Sequence, residues 1–305
     1  MEQSVVMLVD EWLKKARKPL LVIQGATASG KTALAVELAK RFDGEVINAD
    51  SRQIYEEIKI GNALPTDEER QGIPHHLFSC IPLERSLSVA EYQKLCFRTI
   101  EDILHRKKLP ILCGGTMLWI DAVVDNFLIP AGEPDKDFRK KLEDLDIDEL
   151  LSRLNSVDPE SAISLMKSKN KRYIIRALEI YHLTGKKKSQ LAKKRRRRFE
   201  VLKIAPEVER EALYERINKR TQRQLENGLI EEVQGIIDRH AGGSPAKLQK
   251  LDLPALTSIG VKEVVPYLLK GISREELLAK LQQHNRNYAK RQLTWLKKDK
   301  EIRWI

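Results

Sequence analysis

Residues 25–32 have the residue types and spacing of a loop that binds phosphate. They read Gly-Ala-Thr-Ala-Ser-Gly-Lys-Thr and fit the pattern G-x-x-x-x-G-K-[ST]. A glycine-rich turn of this kind directs backbone N–H groups, a helix N-terminus and one lysine ammonium to a single point. We therefore expect a diphosphate to bind this stretch. Its members are Gly25, Ala26, Thr27, Ala28, Ser29, Gly30, Lys31 and Thr32.

A carboxylate follows the next apolar run of the chain. Asp50 lies in Asn-Ala-Asp-Ser-Arg-Gln at 48–53. An acid at the edge of a sheet is often only a surface group. Beside a phosphate loop, Asp50 has two chemical options, a ligand for Mg²⁺ or a general base. Arg52 could brace Asp50 or hold a nucleic acid phosphate.

Apolar runs and helical patterns alternate around these residues. The predicted strands are 20–24, 45–49, 109–113 and 201–204, and the predicted helices include 31–41, 88–106, 207–227, 230–239, 256–270 and 274–298. Alternation of this kind predicts a parallel sheet whose ligands gather at the C-terminal strand ends. Asp50, the glycine-rich loop and Thr116 all fall at that edge, so we expect the site there.

Periodicity and composition divide the chain into three parts. Residues 1–127 form the first part of the α/β core. Residues 128–199 form a helical insertion that begins with a linker at 128–134 and ends in a basic run, and residues 200–305 complete the core. We expect 241–253 to be a polar loop.

The chain is basic, with 55 Lys and Arg against 44 Asp and Glu among 305 residues and a net charge of +11. Much of the excess lies at 186–188 and 193–198. Such a run is either a solvated segment or a contact for a polyanion, and a phosphate-binding core favours the polyanion. Three scattered cysteines and no membrane-length apolar run favour a soluble cytoplasmic protein with reduced thiols and without a membrane partner.

Two helical segments in the C-terminal part concentrate cations. Arg216, Arg220 and Arg223 recur at helical spacing, which suits either a solvated face or a clamp on a diphosphate. Residues 285–292 place Arg286, Lys290 and Arg291 with one tyrosine, a mixture that suits an RNA backbone and a stacked base. The paired histidines at 75–76 lack companions at metal-ligand spacing, so we expect a structural or substrate-edge role.

These segments together resemble the tRNA dimethylallyltransferases (isopentenyl-tRNA transferases) from about residue 20 to residue 297. The matching blocks are 25–32, 48–55, Gly-Ile-Pro-His-His-Leu at 72–77, 114–116, Ile-Ile-Arg-Ala-Leu-Glu at 174–179, 184–185, 213–217, 228–233, 259–260, 262–263 and 288–295. The resemblance implies a P-loop NTPase-like parallel sheet flanked by helices, with an inserted helical tRNA-binding domain. It implies transfer of a dimethylallyl group from dimethylallyl diphosphate to the exocyclic amine of adenosine 37.

The resemblance also implies roles for particular residues. The catalytic residues would be Asp50 as general base, Thr27, Arg216 and Arg220, with a Mg²⁺ held in part by Thr32. The partner would be the tRNA anticodon stem-loop, bound by a monomer. Its contacts would be Asp50, Ser51, Arg52, Gln53, Thr116, Arg172, Tyr173, Ile174, Ile175, Arg176, Arg286, Lys290 and Arg291.

Three other interpretations remain open at this point. A P-loop kinase or ATPase would use the same loop, but Asp50 does not follow a run typical of a Walker-B aspartate. An adenylate isopentenyltransferase would use the same donor with a free nucleotide, which the helical insertion and the basic run disfavour. A non-catalytic RNA-binding protein is disfavoured by the intact Lys31, Thr32 and Asp50.

Overall fold

A parallel six-stranded sheet is present in the computed structural model, which describes residues 3–129, 135–191, 195–251 and 253–305. The strands are β1 Pro19–Gln24, β2 Gly44–Asn48, β3 His75–His76, β4 Leu109–Gly114, β5 Glu200–Ala205 and β6 Ile302–Trp304. Their order is β3-β2-β4-β1-β5-β6, and every neighbouring pair is parallel. The predicted α/β class with a parallel sheet is confirmed.

Helices account for most of the remaining described residues. They are α1 Gln3–Leu13, α2 Lys31–Arg41, α3 Asp67–Arg70, α4 Val89–His105, α5 Met117–Val124, α6 Lys136–Glu143, α7 Ile147–Val157, α8 Pro159–Met166, α9 Lys171–Thr184, α10 Lys188–Leu191, α11 Arg210–Glu226, α12 Leu229–Ala241, α13 Pro245–Leu248, α14 Val261–Leu268 and α15 Arg274–Leu296, with a 3-10 helix at Pro254–Thr257. No helix in the described ranges is long and apolar enough to cross a membrane.

The chain divides into two compact units. The first combines residues 1–120 with 198–305, and the second contains residues 121–197. Within the predicted linker, 130–134 lie outside the described residues, as do 193–194 of the basic run. The RNA-binding role expected of 128–199 stays a prediction.

The core of the first unit explains why its central strands are apolar along their whole length. In β1 the side chains from Leu20 to Ile23 are fully buried, a pattern typical of a strand covered on both faces. Val9 of α1 and Leu38 of α2 pack in the same cluster as β1 and β4. Helix α4 begins at a capping box between Ser88 and Glu91, as its sequence predicts.

The second unit has its own core of helices. Leu150 and Leu154 of α7 pack with Ile174 and Leu178 of α9. Glu179 is buried there, and both Arg139 and Arg176 donate hydrogen bonds to its carboxylate. Burial alone would raise the pKa of Glu179, but these two guanidinium groups hold it below the ordinary value.

Two predicted segments differ from the structure. The helix expected at 256–270 is a 3-10 helix followed by α14, because Gly260 adopts a φ of +112° that interrupts helical backbone. A Cβ at Gly260 would lie 3.2 Å from the Cα of Gly61, so the two backbone segments also approach closely there. The loop expected at 241–253 contains α13, which Ser244 caps. Strands β3 and β6 were not predicted.

Candidate active site

The glycine loop, defined here as residues 25–30, joins the end of β1 to the start of α2. Gly30 has a φ of +91° and Ala28 a φ of +64°, so the loop turns through left-handed conformations. The ammonium of Lys31 donates to the carbonyl of Ala26 at 3.3 Å. Burial lowers the pKa of Lys31, and the charge of Asp50 opposes this shift. The loop thus gathers a helix N-terminus and a desolvated cation.

One hydroxyl of the glycine loop is buried without a protein partner. Ser29 Oγ has no hydrogen bond, and a Cβ at Gly25 would lie only 2.6 Å from it. A buried polar group without a partner costs about 1–3 kcal/mol unless a ligand or water satisfies it. The position of Ser29 therefore suits a ligand with acceptor oxygens.

Asp50 follows β2 and is held by the strand's last residue. The Asn48 side chain accepts from the backbone N–H of Asp50 at 2.7 Å and donates to its carbonyl at 3.0 Å. The carboxylate accepts from the N–H of Arg52 at 2.9 Å. Half-buried Asp50 also interacts electrostatically with Lys31 and Arg220, which places a negative charge near the cations of the loop region.

The Gly-Gly-Thr turn, residues 114–116, lies at the end of β4 and contacts the Asp50 segment. Thr116 Oγ1 accepts from the N–H of Ser51 at 2.9 Å, and the N–H of Thr116 donates to Ala49 O at 3.0 Å. A Cβ at Gly114 would lie 2.2 Å from the backbone of Ala49, so only glycine fits there. Two of the predicted acceptor-side residues, Ser51 and Thr116, therefore lie in contact.

Helix α11 brings one arginine to the glycine loop. Arg220 Nη2 donates to Thr27 Oγ1 at 2.6 Å, and Arg220 Nε is buried without a partner. Burial lowers the pKa of Arg220, with Asp50 opposing the shift. Arg216 is one turn earlier and exposed. Of the two predicted clamp residues, Arg220 contacts the loop.

Helix α15 supplies two site residues that were not singled out from the sequence. Gln292 Oε1 accepts from the N–H of Thr27 at 2.8 Å, and its Nε2 donates to Gly115 O at 2.9 Å. Burial together with Asp50 raises the pKa of Tyr288 above the ordinary value, and the neighbouring Thr116 side chain opposes this shift. From the sequence, the tyrosine is expected only to stack on RNA, and Gln292 is only one position of the matching block 288–295 with no role of its own.

Arg52 and Gln53, which follow Asp50 in the chain, contact other protein segments. Arg52 donates to Pro254 O at 2.8 Å and to Thr257 Oγ1 at 3.0 Å. Gln53 donates to the carbonyls of Asn62 and Ala63. These contacts position the loop that begins at Asp50, and the predicted tRNA contacts of Arg52 and Gln53 stay predictions.

The residues of α9 that are predicted to contact tRNA differ in how far their side chains are buried. Arg172 and Tyr173 are exposed, with Lys188 5.7 Å from the centre of the Tyr173 ring. Ile174 and Ile175 are 0% and 5% exposed, because they face the core of the second unit. Their side chains are therefore covered by protein, and the predicted tRNA contacts of Ile174 and Ile175 stay predictions. Arg176 is half-buried and paired with Glu179.

The cations predicted on the late helix lie at its surface. Lys290 and Arg291 are exposed, and the Arg291 guanidinium lies 5.8 Å from the centre of the Tyr288 ring. Arg286 is half-buried and donates to Asn218 Oδ1 at 2.7 Å. Tyr288, which lies near Thr116, therefore connects these exposed cations of α15 to the site.

The fold and the residues at the C-terminal strand ends define a P-loop-type enzyme for a substrate that carries phosphate groups. A family model described as IPP transferase matches residues 53–299. The chain belongs to the IPP transferase family. It is thus an enzyme of the prenyl-transferring class.

Individual relatives agree with this assignment. The chain is 41% identical over 294 residues to the tRNA dimethylallyltransferase of Pelotomaculum thermopropionicum, covering 95% of this chain and 91% of that protein. It is 40% identical over 293 residues to the tRNA dimethylallyltransferase of Halothermothrix orenii, covering 94% and 87%. The resemblance stated from the sequence is confirmed.

Solved structures share the fold. The full-length tRNA isopentenylpyrophosphate transferase of Bacillus halodurans is 37% identical, with a TM-score of 0.69 and coverage of 95% of this chain and 90% of that one. A eukaryotic dimethylallyltransferase acting on tRNA is 30% identical, with a TM-score of 0.77 and coverage of 92% and 70%.

Proposed function

We propose that this enzyme transfers the dimethylallyl group of dimethylallyl diphosphate to the exocyclic amine of adenosine 37 in tRNA, beside the anticodon. The observation that carries the proposal is the meeting of opposite charges at one sheet edge. Lys31 and Arg220 bear positive charge beside the glycine loop, and Asp50 interacts with both. Cations suit a departing diphosphate, and a neighbouring carboxylate suits an amine that must lose a proton.

The diphosphate would bind the glycine loop. The loop itself offers the hydroxyl of Ser29. Directly after it, the start of α2 offers backbone N–H groups and the ammonium of Lys31. Arg220 adds a guanidinium whose Nε has no protein partner. Fixed donors directed at a group on which negative charge grows are often the largest contribution to a rate enhancement.

Asp50 would act as the general base. The amine of adenine is a weak nucleophile because its lone pair is delocalised into the ring. As the amine nitrogen forms a bond to C1 of the allyl group, the bond from C1 to the diphosphate oxygen breaks. The nitrogen's proton passes to the Asp50 carboxylate and the diphosphate leaves. A positioned base of this kind contributes about 10²–10⁴ in rate.

The acceptor nucleotide would lie between the Asp50 segment and the Gly-Gly-Thr turn. Ser51 and Thr116 are in contact there and Tyr288 reaches Thr116 from α15. An adenine must leave its stack to reach a sheet edge, which costs a few kcal/mol and is easiest in a single-stranded loop. An anticodon loop meets this requirement better than a duplex.

The donor groups at the site fit a Mg²⁺ that binds together with the diphosphate. Mg²⁺ takes oxygen ligands and usually keeps several waters and substrate phosphates. Thr32, at the second position of α2, offers a hydroxyl. Within the described ranges no group of three or more His, Cys, Asp or Glu could hold a metal alone. Held by Thr32, the ion would offset charge on the leaving diphosphate.

Exposed side chains of α9 and of α15 would each contact the anticodon stem-loop. Exposed Arg172 and Tyr173 lie on α9, and exposed Lys290 and Arg291 lie on α15. Neutralising backbone phosphates releases counterions, which favours binding by a chain with a net charge of +11. We expect the enzyme to act as a monomer in the cytoplasm, where its free cysteines stay reduced.

A transfer assay tests the proposal. Dimethylallyl diphosphate and Mg²⁺ are offered with unmodified tRNA, with AMP or with ATP, and products are read by mass, with Lys31→Ala as control. We expect a gain of one dimethylallyl group on tRNA at adenosine 37. Transfer to a free nucleotide alone would make the enzyme an adenylate isopentenyltransferase, and hydrolysis of ATP without transfer would favour a kinase-like enzyme. Both results would contradict the proposal.

A further inference from the structure

Gln292 occupies the gap where two neighbouring strands of the sheet separate. Strands β1 and β4 are paired up to Gln24 and Gly114. Beyond that pair the chain of β1 enters the glycine loop and the chain of β4 enters the Gly-Gly-Thr turn. The Gln292 side chain then bonds to Thr27 on one side and to Gly115 on the other. Its amide thus joins the two segments after the backbone pairing ends.

The geometry of this bridge requires a side chain that accepts one hydrogen bond and donates another. Gln292 is 4% exposed, and it uses one acceptor and one donor at the same time. A Cβ at Gly115 would lie 2.3 Å from Gln292 Nε2, so the turn is glycine where the amide lies against it. Removing the amide would leave a buried N–H and a buried C=O without partners.

Other contacts of α15 fix Gln292 in place. One turn earlier, Tyr288 lies near the Thr116 side chain. Ala289, between them in sequence, is fully buried and packs in a cluster with Ala26 of the glycine loop. A single rigid helix therefore contacts the glycine loop and the Gly-Gly-Thr turn at several points.

We propose that Gln292 is a positioning residue that holds the donor-binding glycine loop and the acceptor-binding turn at a fixed separation. This inference rests on the proposed function, in which the allyl carbon and the adenine amine must meet between these two segments. The residue does not contact the reacting atoms. Its effect is on the distance between two bound substrates, and misplacement of about 1 Å can cost about 10²-fold in rate.

The inference predicts a particular kinetic pattern. Gln292→Met keeps the volume of the side chain but removes both hydrogen bonds. We expect kcat with both substrates saturating to fall about tenfold or more. The Kd for pyrophosphate and the Kd for tRNA should each change less than about threefold, because binding to either segment alone is retained. Gln283→Met, at an exposed position of the same helix, is the matched control and should leave all three values unchanged.

Gln292→Glu provides a second variant with a reversible defect. Its ionised carboxylate can accept from Thr27 but cannot donate to Gly115. When protonated, it can do both. We expect the ratio of its kcat to the wild-type kcat to rise as pH falls, since normalisation to wild type removes the pH effects that both enzymes share. A role in stability alone would lower the melting temperature without this recovery in kcat.

The outcomes are distinct. An unchanged kcat in Gln292→Met, or a loss confined to the affinity for one substrate, would overturn the inference. A Gln292→Glu ratio that does not depend on pH would also overturn it. If the wild-type enzyme transfers nothing to tRNA, the proposed function fails instead. The bridge is then tested by amide hydrogen exchange of residues 25–30. Exchange should be faster in Gln292→Met than in wild type, and equal exchange rates would exclude a role for Gln292 in holding the loop.

Discussion

Arg220 Nη2 donates to Thr27 Oγ1 at 2.6 Å, joining helix α11 to the glycine loop across 193 positions of sequence. The contact fixes the guanidinium beside the loop while its Nε remains without a protein partner. Thr27 is held on its other side by Gln292. The loop is therefore preorganised by two helices from the C-terminal part of the chain, and a diphosphate would meet donors already in place.

The position of Arg220 predicts a difference between two arginines of α11. We expect Arg220→Ala to lower kcat about 10²–10³-fold, because the variant lacks one of the fixed donors at the leaving group. Arg216→Ala is the matched control on the same helix, and because Arg216 is exposed its kcat should stay near wild type. Steady-state kinetics with saturating tRNA measure both. Equal losses in the two variants would show that the structure identifies the wrong arginine.

The lowered pKa of Lys31 predicts that the affinity for diphosphate depends on pH. Burial lowers the pKa of its ammonium, so the charged form that attracts diphosphate is present below this lowered pKa and is lost as pH rises through it. Lys31→Arg keeps its charge throughout. Calorimetric Kd values for pyrophosphate from about pH 7 to about pH 10 should show the wild-type affinity falling relative to Lys31→Arg. A ratio that stays constant over this range would remove Lys31 from the binding site.

Local patterns in the sequence were sufficient for much of the site. The glycine loop, Asp50 and Thr116 each follow a predicted strand, and parallel strands bring such residues to one edge. The contacts of Gln292 could not be predicted, because they join positions separated by 265 and 177 residues. Choosing Arg220 over Arg216 likewise required the rotation of α11 about its axis, which helical spacing leaves open.

The sequence pattern also did not show which side chains of α9 are buried. Arg172, Ile174 and Ile175 belong to one short stretch, and only the packing of α9 against α7 shows which of them face the core. A family motif marks positions that matter without distinguishing a contact with RNA from a contact with the core.

This division of α9 predicts two separable defects. Ile174→Ala should lower the free energy of unfolding by about 2–5 kcal/mol, because it leaves a cavity in the core of the second unit. Arg172→Ala should change that free energy by less than about 0.5 kcal/mol. It should instead weaken tRNA binding. Urea denaturation and filter binding measure the two effects, and an unchanged tRNA affinity in Arg172→Ala would remove α9 from the RNA surface.

The described part of the basic run predicts a salt effect. Arg195 and Arg196 have exposed side chains, whereas Arg197 bonds to the buried Asp125. Replacing Arg195 and Arg196 with glutamine should weaken tRNA binding. It should also reduce the slope of log K against log salt by about 0.7–0.9 for each tRNA phosphate that the variant no longer neutralises.

Arg197→Gln is the contrasting variant for this measurement. Because its guanidinium pairs with Asp125, we expect this variant to have a lower free energy of unfolding than wild type. Its salt slope for tRNA binding should stay near the wild-type value. An unchanged slope in the Arg195 and Arg196 double variant would mean that these side chains are only solvated.

Asp50→Asn tests the central claim most directly, because it removes the base while keeping the size and most hydrogen bonds of the side chain. Single-turnover transfer to tRNA and the Kd for pyrophosphate are measured on the same preparation. If Asp50 is the general base, transfer falls about 10²–10⁴-fold while the Kd for pyrophosphate stays near wild type. Retained transfer, or a loss of pyrophosphate affinity as large as the loss of rate, would contradict the account.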